Sequence, residues 1–456
     1  MSDVEALMWN LEKDPHLSST FANVTLFDRP PDIDRLRERL VLATRAVPKL
    51  RQRVVAALGR LAPPEWRDDP DFDIDFHLRR VALPDPGTER QLFDLATQLA
   101  STPFDRSRPL WEFTVIDGLA DGRGAMVQKL HHTITDGEGG VRMSVQFIDL
   151  ERNPPAPAVA FDDPDVPADA IARSLLDTAR STVAHNLRRQ LGLAQRGLGS
   201  AADLARHPDH VTRLPGDAVD IARSLSRQAL VSGERLSPLW TERSLRRSLD
   251  LLKLPVEDAR RTAKALGGSI NDFFVAGAAG GAGAYHRAKG VDVEELRISM
   301  PVSTRTAGMK AGNSFTPTRV VVPTTADPRE RFAEISRRLA VTRHERALGF
   351  TELLAGVVNV LPTSVLVRFA RSQVDTVDFT TSNVRGAPWD LYIAGAHIDG
   401  NHPIGPLAGT AFNLTTLSCS GSLDMGLHMD LAAIEDPALL RACIETAFDE
   451  LVRLGS

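Results

Sequence analysis

The sequence predicts a mixed α/β protein built from two domains, and three observations carry that expectation. The chain has 456 residues, and beyond roughly 250–300 residues chains divide into domains rather than enlarge one core. Helical and alternating apolar patterns are interleaved from end to end, as expected of layered helices and sheets. A proline- and acid-rich stretch, Pro154 to Pro167, interrupts them and reads as a linker. The expected division is a first domain over 1–155, a linker and helical connector over 156–235, and a second domain over 236–456.

In the first half, Ser2 to Lys13 reads as a short helix and Phe21 to Phe27 as a strand. Asp32 to Val47 puts Ile33, Leu36, Leu40 and Val47 on one helical face. Phe72, Ile74, Phe76 and Leu78 alternate strictly with polar residues, which predicts the clearest strand in the chain. Thr88 to Leu99 is helical, with Leu92, Leu95, Ala96 and Leu99 in register. Strands follow at Leu110 to Ile116 and Gly124 to Lys129, then a short amphipathic helix over Val141 to Leu150.

The connector from Ala168 to Gln228 holds helical stretches with arginines spread through them. IARSL occurs at Ile171 and again at Ile221, but nothing between the copies repeats, so no solenoid is predicted. A solvated connector and a basic surface lying on anionic lipid both fit this composition. In the second half, Val256 to Leu266 and Ile270 to Lys289 read as helices, and Leu296 to Val302 and Thr318 to Pro323 as strands. Asp327-Pro328 is a helix start, with Asp as cap and Pro at the first helical position. Helices then run to about Arg371. Strands at Val377 to Ser382, Leu391 to His397, Ala411 to Ser418 and Met425 to Met429 precede a closing helix from Asp436. The run Ala276 to Ala284 (AGAAGGAGA) lacks the Lys-Ser/Thr of a phosphate loop and predicts close helix packing.

A net charge of −5 leaves no electrostatic footprint for nucleic acid. Two cysteines, Cys419 and Cys443, suit a reducing compartment better than a disulfide framework. The first residues carry acids and no apolar core of a signal peptide, so a cytoplasmic protein is expected. No stretch approaches the roughly 20 apolar residues of a spanning helix. Contact with lipid is therefore expected to be peripheral, at a membrane or a lipid droplet.

The chemistry concentrates in Leu130 to Gly140 (LHHTITDGEGG), where a strand runs out into a glycine-rich turn. Adjacent side chains on extended backbone point to opposite faces, so His131 and His132 cannot share one task. A zinc site is disfavoured, because β-branched Thr133, Ile134 and Thr135 oppose the helix that would stack His and Asp, and no other His/Cys cluster is present. Two readings stand side by side. One is a strand end with a satisfied histidine and a turn-forming Asp-Gly. The other is a histidine general base beside a structural aspartate, since imidazole, with a pKa of about 6.5, takes and returns a proton near neutrality. Ser269 to Asp272 likewise suits helix initiation, with Ser as cap and Asp in the first turn.

The segment HHTITDG matches the HHxxxDG motif of the condensing acyltransferase superfamily, which includes chloramphenicol acetyltransferase and peptide-synthetase condensation domains. Taken in order, RPLWE (Arg108 to Glu112), HHTITDG, IND (Ile270 to Asp272), MPVSTR (Met300 to Arg305), GN (Gly312-Asn313) and SNVRG (Ser382 to Gly386) resemble the bacterial wax ester synthase/diacylglycerol acyltransferase family. The similarity runs the length of the chain and is weakest from about Ala156 to Leu236.

The resemblance implies two chloramphenicol acetyltransferase-like domains with the active site in a tunnel between them. It implies transfer of a long-chain acyl group from acyl-CoA to the hydroxyl of a diacylglycerol or fatty alcohol, with acyl-CoA as substrate and neither metal nor further cofactor. Carried over residue by residue, His132 is the base, and His131, Asp136 and Gly137 complete the motif. Arg305 is the matching partner for Asp136. Trp111 shapes the substrate path, Asn271 and Asp272 support the site, and Ser382 or Asn383 offers a hydrogen bond to the oxyanion. The sequence departs from the family's SNVPGP at Arg385 and Ala387, and PHLSS (Pro15 to Ser19) replaces the usual Pro-Met-His. A condensation-type enzyme using a carrier-bound acyl group and a non-catalytic lipid-binding protein are the rival classes.

Overall fold

Six segments, residues 1–56, 63–135, 137–155, 235–303, 315–343 and 363–455, are described by a computed structural model of the chain. Helix starts fall where the sequence places its caps. Ser2 forms a capping box with Glu5 at α1 (Asp3–Leu11). After β1 (Thr20–Phe27), the Asp32 carboxylate accepts from the amides of Asp34 and Arg35 to open α2 (Ile33–Ala46). Strands β2 (Gln52–Val55) and β3 (Glu65–Asp68) form a separate pair. Next come α3 (Ile74–His77), β4 (Leu78–Ala82) and α4 (Glu89–Ser101), the last boxed by Thr88 and Gln91. The first half closes with β5 (Trp111–Asp117), β6 (Gly124–His131) and α5 (Gly137–Ser144).

Beyond the connector, which lies outside the described residues, the chain forms β7 (Arg247–Pro255), α6 (Val256–Ala265), α7 (Ile270–Ala288), β8 (Glu295–Ser303) and β9 (Phe315–Pro323). Helices α8 (Pro328–Arg343) and α9 (Thr363–Val374) follow. Then come β10 (Phe379–Arg385), β11 (Tyr392–Ile393), β12 (Ala396–Ile404), β13 (Phe412–Cys419), β14 (Ser422–Asp430) and α10 (Pro437–Leu454). As expected, Asp327 accepts from the amides of Arg329 and Glu330 at the start of α8, and Asp436 caps α10.

The strands assemble into two six-stranded mixed sheets, ordered β11-β12-β1-β6-β5-β4 and β7-β14-β13-β10-β8-β9. Helices α7, α8 and α10 cover one face of the second sheet with a large apolar core. The glycines of α7 serve close packing. A Cβ on Gly277 would lie 2.1 Å from the Phe448 ring, and one on Gly281 2.5 Å from the Ile444 backbone, both on α10.

Three expectations need correction. Phe72 to Leu78 is not one strand: Asp73 caps a single helical turn at Ile74–His77, and the strand begins only at Leu78. Ile74, His77 and Leu78 are the buried residues, a three-then-one spacing hidden by counting His77 as polar. The helix expected over Val141 to Leu150 instead starts at Gly137 and ends at Ser144. The strand expected over Leu391 to His397 is a hairpin, turned at Ala394 and Gly395, which both hold positive φ (47° and 85°) as a tight two-residue β-turn requires. Its long arm, β12, leaves the second half's sheet altogether and pairs with β1 across Ala22–Phe27.

Candidate active site

Strand β6 is buried along its whole length and delivers His131 at its last position, opposite Thr20 of β1. Its sequence alternates by face. Leu130, Gln128 and Met126 lie with Phe21, Asn23 and Thr25 of β1 and with Trp111, Phe113 and Val115 of β5, because directly paired residues share a face. Lys129 and His131 point to the opposite side.

That opposite side is a closed charge network. The Nδ1 of His131 accepts from the Thr133 amide (3.1 Å) and hydroxyl (2.8 Å), so the ring proton sits on Nε2 and is donated to the Glu12 carboxylate. Glu12 also accepts from the hydroxyls of Ser18 (2.6 Å) and Thr20 (3.1 Å). Lys129 reaches Glu112 at 3.4 Å and stands 4.1 Å over the Phe104 ring. Arg106 lies 3.4 Å from the centre of the Trp9 ring. His131 is 1 % exposed, and burial drives its pKa down to about 3, with His132 and Arg106 adding to the fall. Burial likewise raises that of Glu12. His131 is thus a neutral, fully bonded strut.

The turn beyond it is braced from a third direction. Lys49 donates to the carbonyls of Thr133 (3.2 Å) and Ile134 (3.4 Å) while paired with Glu5 of α1 at 2.7 Å. His132 leaves the sheet here, its amide bonded to the Ser19 carbonyl. Its half-buried ring rests 4.6 Å from that of Phe21. The two histidines therefore diverge as strand alternation requires. One is sealed in the charge network, and the other lies on the Phe21 side.

Glu12, Glu112 and Lys129 thus hold one side of the strand end, and His132 lies on the other. The model of the wax ester synthase/diacylglycerol acyltransferase catalytic domain matches residues 1–274, and that of the family's C-terminal domain matches 311–452. This chain belongs to that family. A putative diacylglycerol O-acyltransferase of Mycobacterium tuberculosis is 36 % identical over 462 residues, spanning 100 % of this chain and 92 % of the relative. A probable diacylglycerol O-acyltransferase of the same organism is 27 % identical over 97 % of this chain and 93 % of its own length. Among solved structures, the wax ester synthase/diacylglycerol acyltransferase from Marinobacter aquaeolei VT8 matches with a TM-score of 0.64 at 21 % identity, covering 99 % of both chains. The first condensation domain of the calcium-dependent antibiotic synthetase matches at 0.59 and 17 % identity, over 100 % of this chain and 96 % of that one. The fold is that of the two-domain acyltransferases, and the enzyme class is acyl transfer to a diacylglycerol or alcohol hydroxyl.

The remaining residues singled out from the sequence fall into distinct groups. Gly137 opens α5, which packs against β10, the strand bearing Ser382 and Asn383. Asn383 Nδ2 approaches Asn271 Oδ1 at 3.5 Å, which brings two expected support residues together across the α7 start. Asp272 performs helix initiation: it accepts from the Ser269 amide at 2.8 Å while its own amide donates to Ser269 Oγ. Trp111 is a core residue. It is stacked on His77 at 4.6 Å and donates from Nε1 to the Leu50 carbonyl at 2.9 Å. Asp136, Arg305 and Gly312-Asn313 lie outside the described residues. His397, His402 and His428 make local bonds to Asp399 and to the carbonyls of Met425 and Gly405. Glu12 and Lys49, which hold the motif from below, carry no sequence pattern that marks them.

Proposed function

We propose that His132 is the general base for O-acyl transfer from a long-chain acyl-CoA to a diacylglycerol or fatty alcohol. The observation that carries this reading is the division of labour at the motif. Both ring nitrogens of His131 are committed to Glu12 and Thr133, so the proton work falls to the histidine on the Phe21 side. His132 takes the hydroxyl proton as the alcohol oxygen attacks the thioester carbonyl. The tetrahedral intermediate then expels the CoA sulfur, which receives that proton from the imidazolium, so an ester and a free thiol leave. Ser382 or Asn383 stabilises the oxyanion, and the apolar surroundings keep out water that would otherwise hydrolyse the thioester. Asp136 pairs with Arg305 and fixes the turn that carries His132, in the manner of charge-assisted clamps. Arg385, in the place of a proline, adds a cation at the end of β10, the strand that carries Ser382 and Asn383.

Purified protein with palmitoyl-CoA and either hexadecanol or dioleoylglycerol should release thiol only when acceptor is present, and in step with ester. Thiol release without ester would make the protein a thioesterase and end the reading. In the same assay, Asp136→Asn and Arg305→Gln should each impair transfer, and the double variant should cost less than their sum. We also propose that substrates are met at a lipid surface. Among the described residues no helix is long and apolar enough to cross a membrane, while Val365 and Phe369, one turn apart on α9, stand exposed next to Arg368. Protein that sediments with anionic vesicles at low salt and is released at high salt supports this contact; protein that never sediments refutes it.

A further inference from the structure

The Phe21 face of the first sheet is an apolar, largely buried layer except at one place. Phe21, Trp111, Phe113, Val115, Met126 and Leu130 surround a cluster of four polar side chains, Asn23 and Thr25 on β1, Gln128 on β6 and Asn401 on β12. Thr25 is the hub. It accepts from Gln128 Nε2 (2.9 Å) and Asn23 Nδ2 (3.0 Å) and donates to Asn401 Oδ1 (2.9 Å), which Asn23 Nδ2 also reaches. Polar groups inside an apolar face are costly unless their bonds are made, and this cluster is only half satisfied internally. The carbonyl oxygens of Asn23 and Gln128 and the amide nitrogen of Asn401 take no part in these bonds. None of the three is among the sealed, orphaned atoms of the described residues, and Asn23 and Asn401 are half-buried rather than buried. One donor and two acceptors are therefore left uncommitted together at the half-buried margin of an apolar layer.

The position of the cluster is as informative as its chemistry. Asn23 is two residues along β1 from Phe21, on the same face, or about 7 Å at strand rise. Phe21 is the residue against which the His132 ring lies. Phe21, Asn23 and Asn401 are the half-buried residues of this face, and a substrate whose hydroxyl stands at His132 and whose body follows them meets the cluster a few bonds from the reacting oxygen. A diacylglycerol carries its two ester groups on the carbons next along from its free hydroxyl. A fatty alcohol carries only methylenes there, and these would desolvate the cluster without answering it.

We propose that Asn23, Gln128 and Asn401 form the acceptor-recognition subsite, and that they select acylglycerols over simple alcohols by hydrogen bonding the ester-bearing glycerol backbone. This rests on the acyl-transfer reading of the same site. Selectivity of this kind comes from the penalty on the wrong substrate, because a site built to bond polar atoms loses those bonds when they are missing. The subsite draws on both halves of the sequence, since Asn401 arrives on β12.

The test is the ratio of kcat/KM for dioleoylglycerol to that for hexadecanol, measured with palmitoyl-CoA as donor. Asn23→Leu, which keeps the branched shape but not the hydrogen-bonding atoms, and Asn401→Leu should each lower the ratio by tenfold or more. Hexadecanol turnover in the same preparation reports how much enzyme is folded and competent. Should Asn23→Leu lose both activities, Gln128→Met reads the same ratio with a smaller disturbance to β1. A ratio within twofold of the unaltered protein in the active variants overturns the subsite while leaving the acyl-transfer reading intact. Unaltered protein that transfers to neither acceptor overturns the reading itself.

Discussion

On one side of the first sheet, where β6 delivers His131, the side chains of Lys129, Glu112, Glu12, Arg106 and His131 bond or neutralise one another. On the other side, Asn23, Gln128 and Asn401 stand in an apolar wall with part of their bonding capacity unused. The first arrangement is what a support requires: a buried charge is tolerable when it is paired and bonded, and such a cluster then resists rearrangement. The second is what a recognition surface requires, since atoms already committed cannot bond a substrate. Neighbouring residues of one motif thus fall into opposite classes because strand alternation sends them to opposite sides. Rigidity and reactivity are separated by a single backbone step.

The sharpest way to break this contrast is to exchange the histidines' fates. His132→Ala should reduce transfer by about two to four orders of magnitude, the usual worth of a positioned general base, without loss of thermal stability. His131→Ala should instead lower stability first. Equal kinetic losses in two equally stable variants would abolish the division. A smaller effect is expected at Glu12, which acts through His131 and is a positioning residue. Glu12→Ala should lower kcat by about tenfold or more, with KM for acyl-CoA little altered, by freeing the strut and the turn it holds. Glu12→Gln, whose amide oxygen can still accept from His131 Nε2, should recover most of the loss. A failure of Gln to outperform Ala would mean that the carboxylate does something other than hold the ring.

The smallest effect concerns acid. Burial holds the pKa of His131 at about 3 and that of His77 at about 4, against about 6.5 in the unfolded chain. Between those values the unfolded state binds more protons, so stability falls as pH drops from 6.5 toward 4. At pH 5 each histidine would contribute a loss of at most about 2 kcal/mol. The raised pKa of Glu12 opposes part of this, because the folded state takes up that proton more readily. Thermal unfolding followed from pH 7 to pH 4.5 should show a declining midpoint, and His131→Gln should flatten the slope. An unchanged midpoint would mean that water reaches the rings of His131 and His77.

Much of the frame was legible because its signals are local. Ser269 and Asp327 announced their helices as caps, helices expected from Ser2, Asp32, Thr88 and Asp436 begin one residue later, and the divergence of His131 and His132 followed from alternation alone. What escaped was set by partners distant in the chain. His77 counted as a polar residue in the pattern, yet it is buried beneath Trp111. The assignment of Leu391 to His397 to one strand failed because the turn at Ala394-Gly395 contains none of the usual Asn-Gly or Asp-Gly pairs. Glu12 is an unremarked acid after a helix until Thr20 and His131 pair above it. Asn23, Gln128 and Asn401 sit on three strands, and no spacing along the chain relates them.

The pairing of β12 with β1 also has a temporal consequence. A ribosome finishes β6 at His131 and must add roughly 270 residues before β12 clears it, which at common elongation rates takes on the order of tens of seconds. Throughout that interval the Ala22–Phe27 edge of β1 offers unmated peptide groups to any passing strand. The nascent first half is thus a template awaiting its last-made partner.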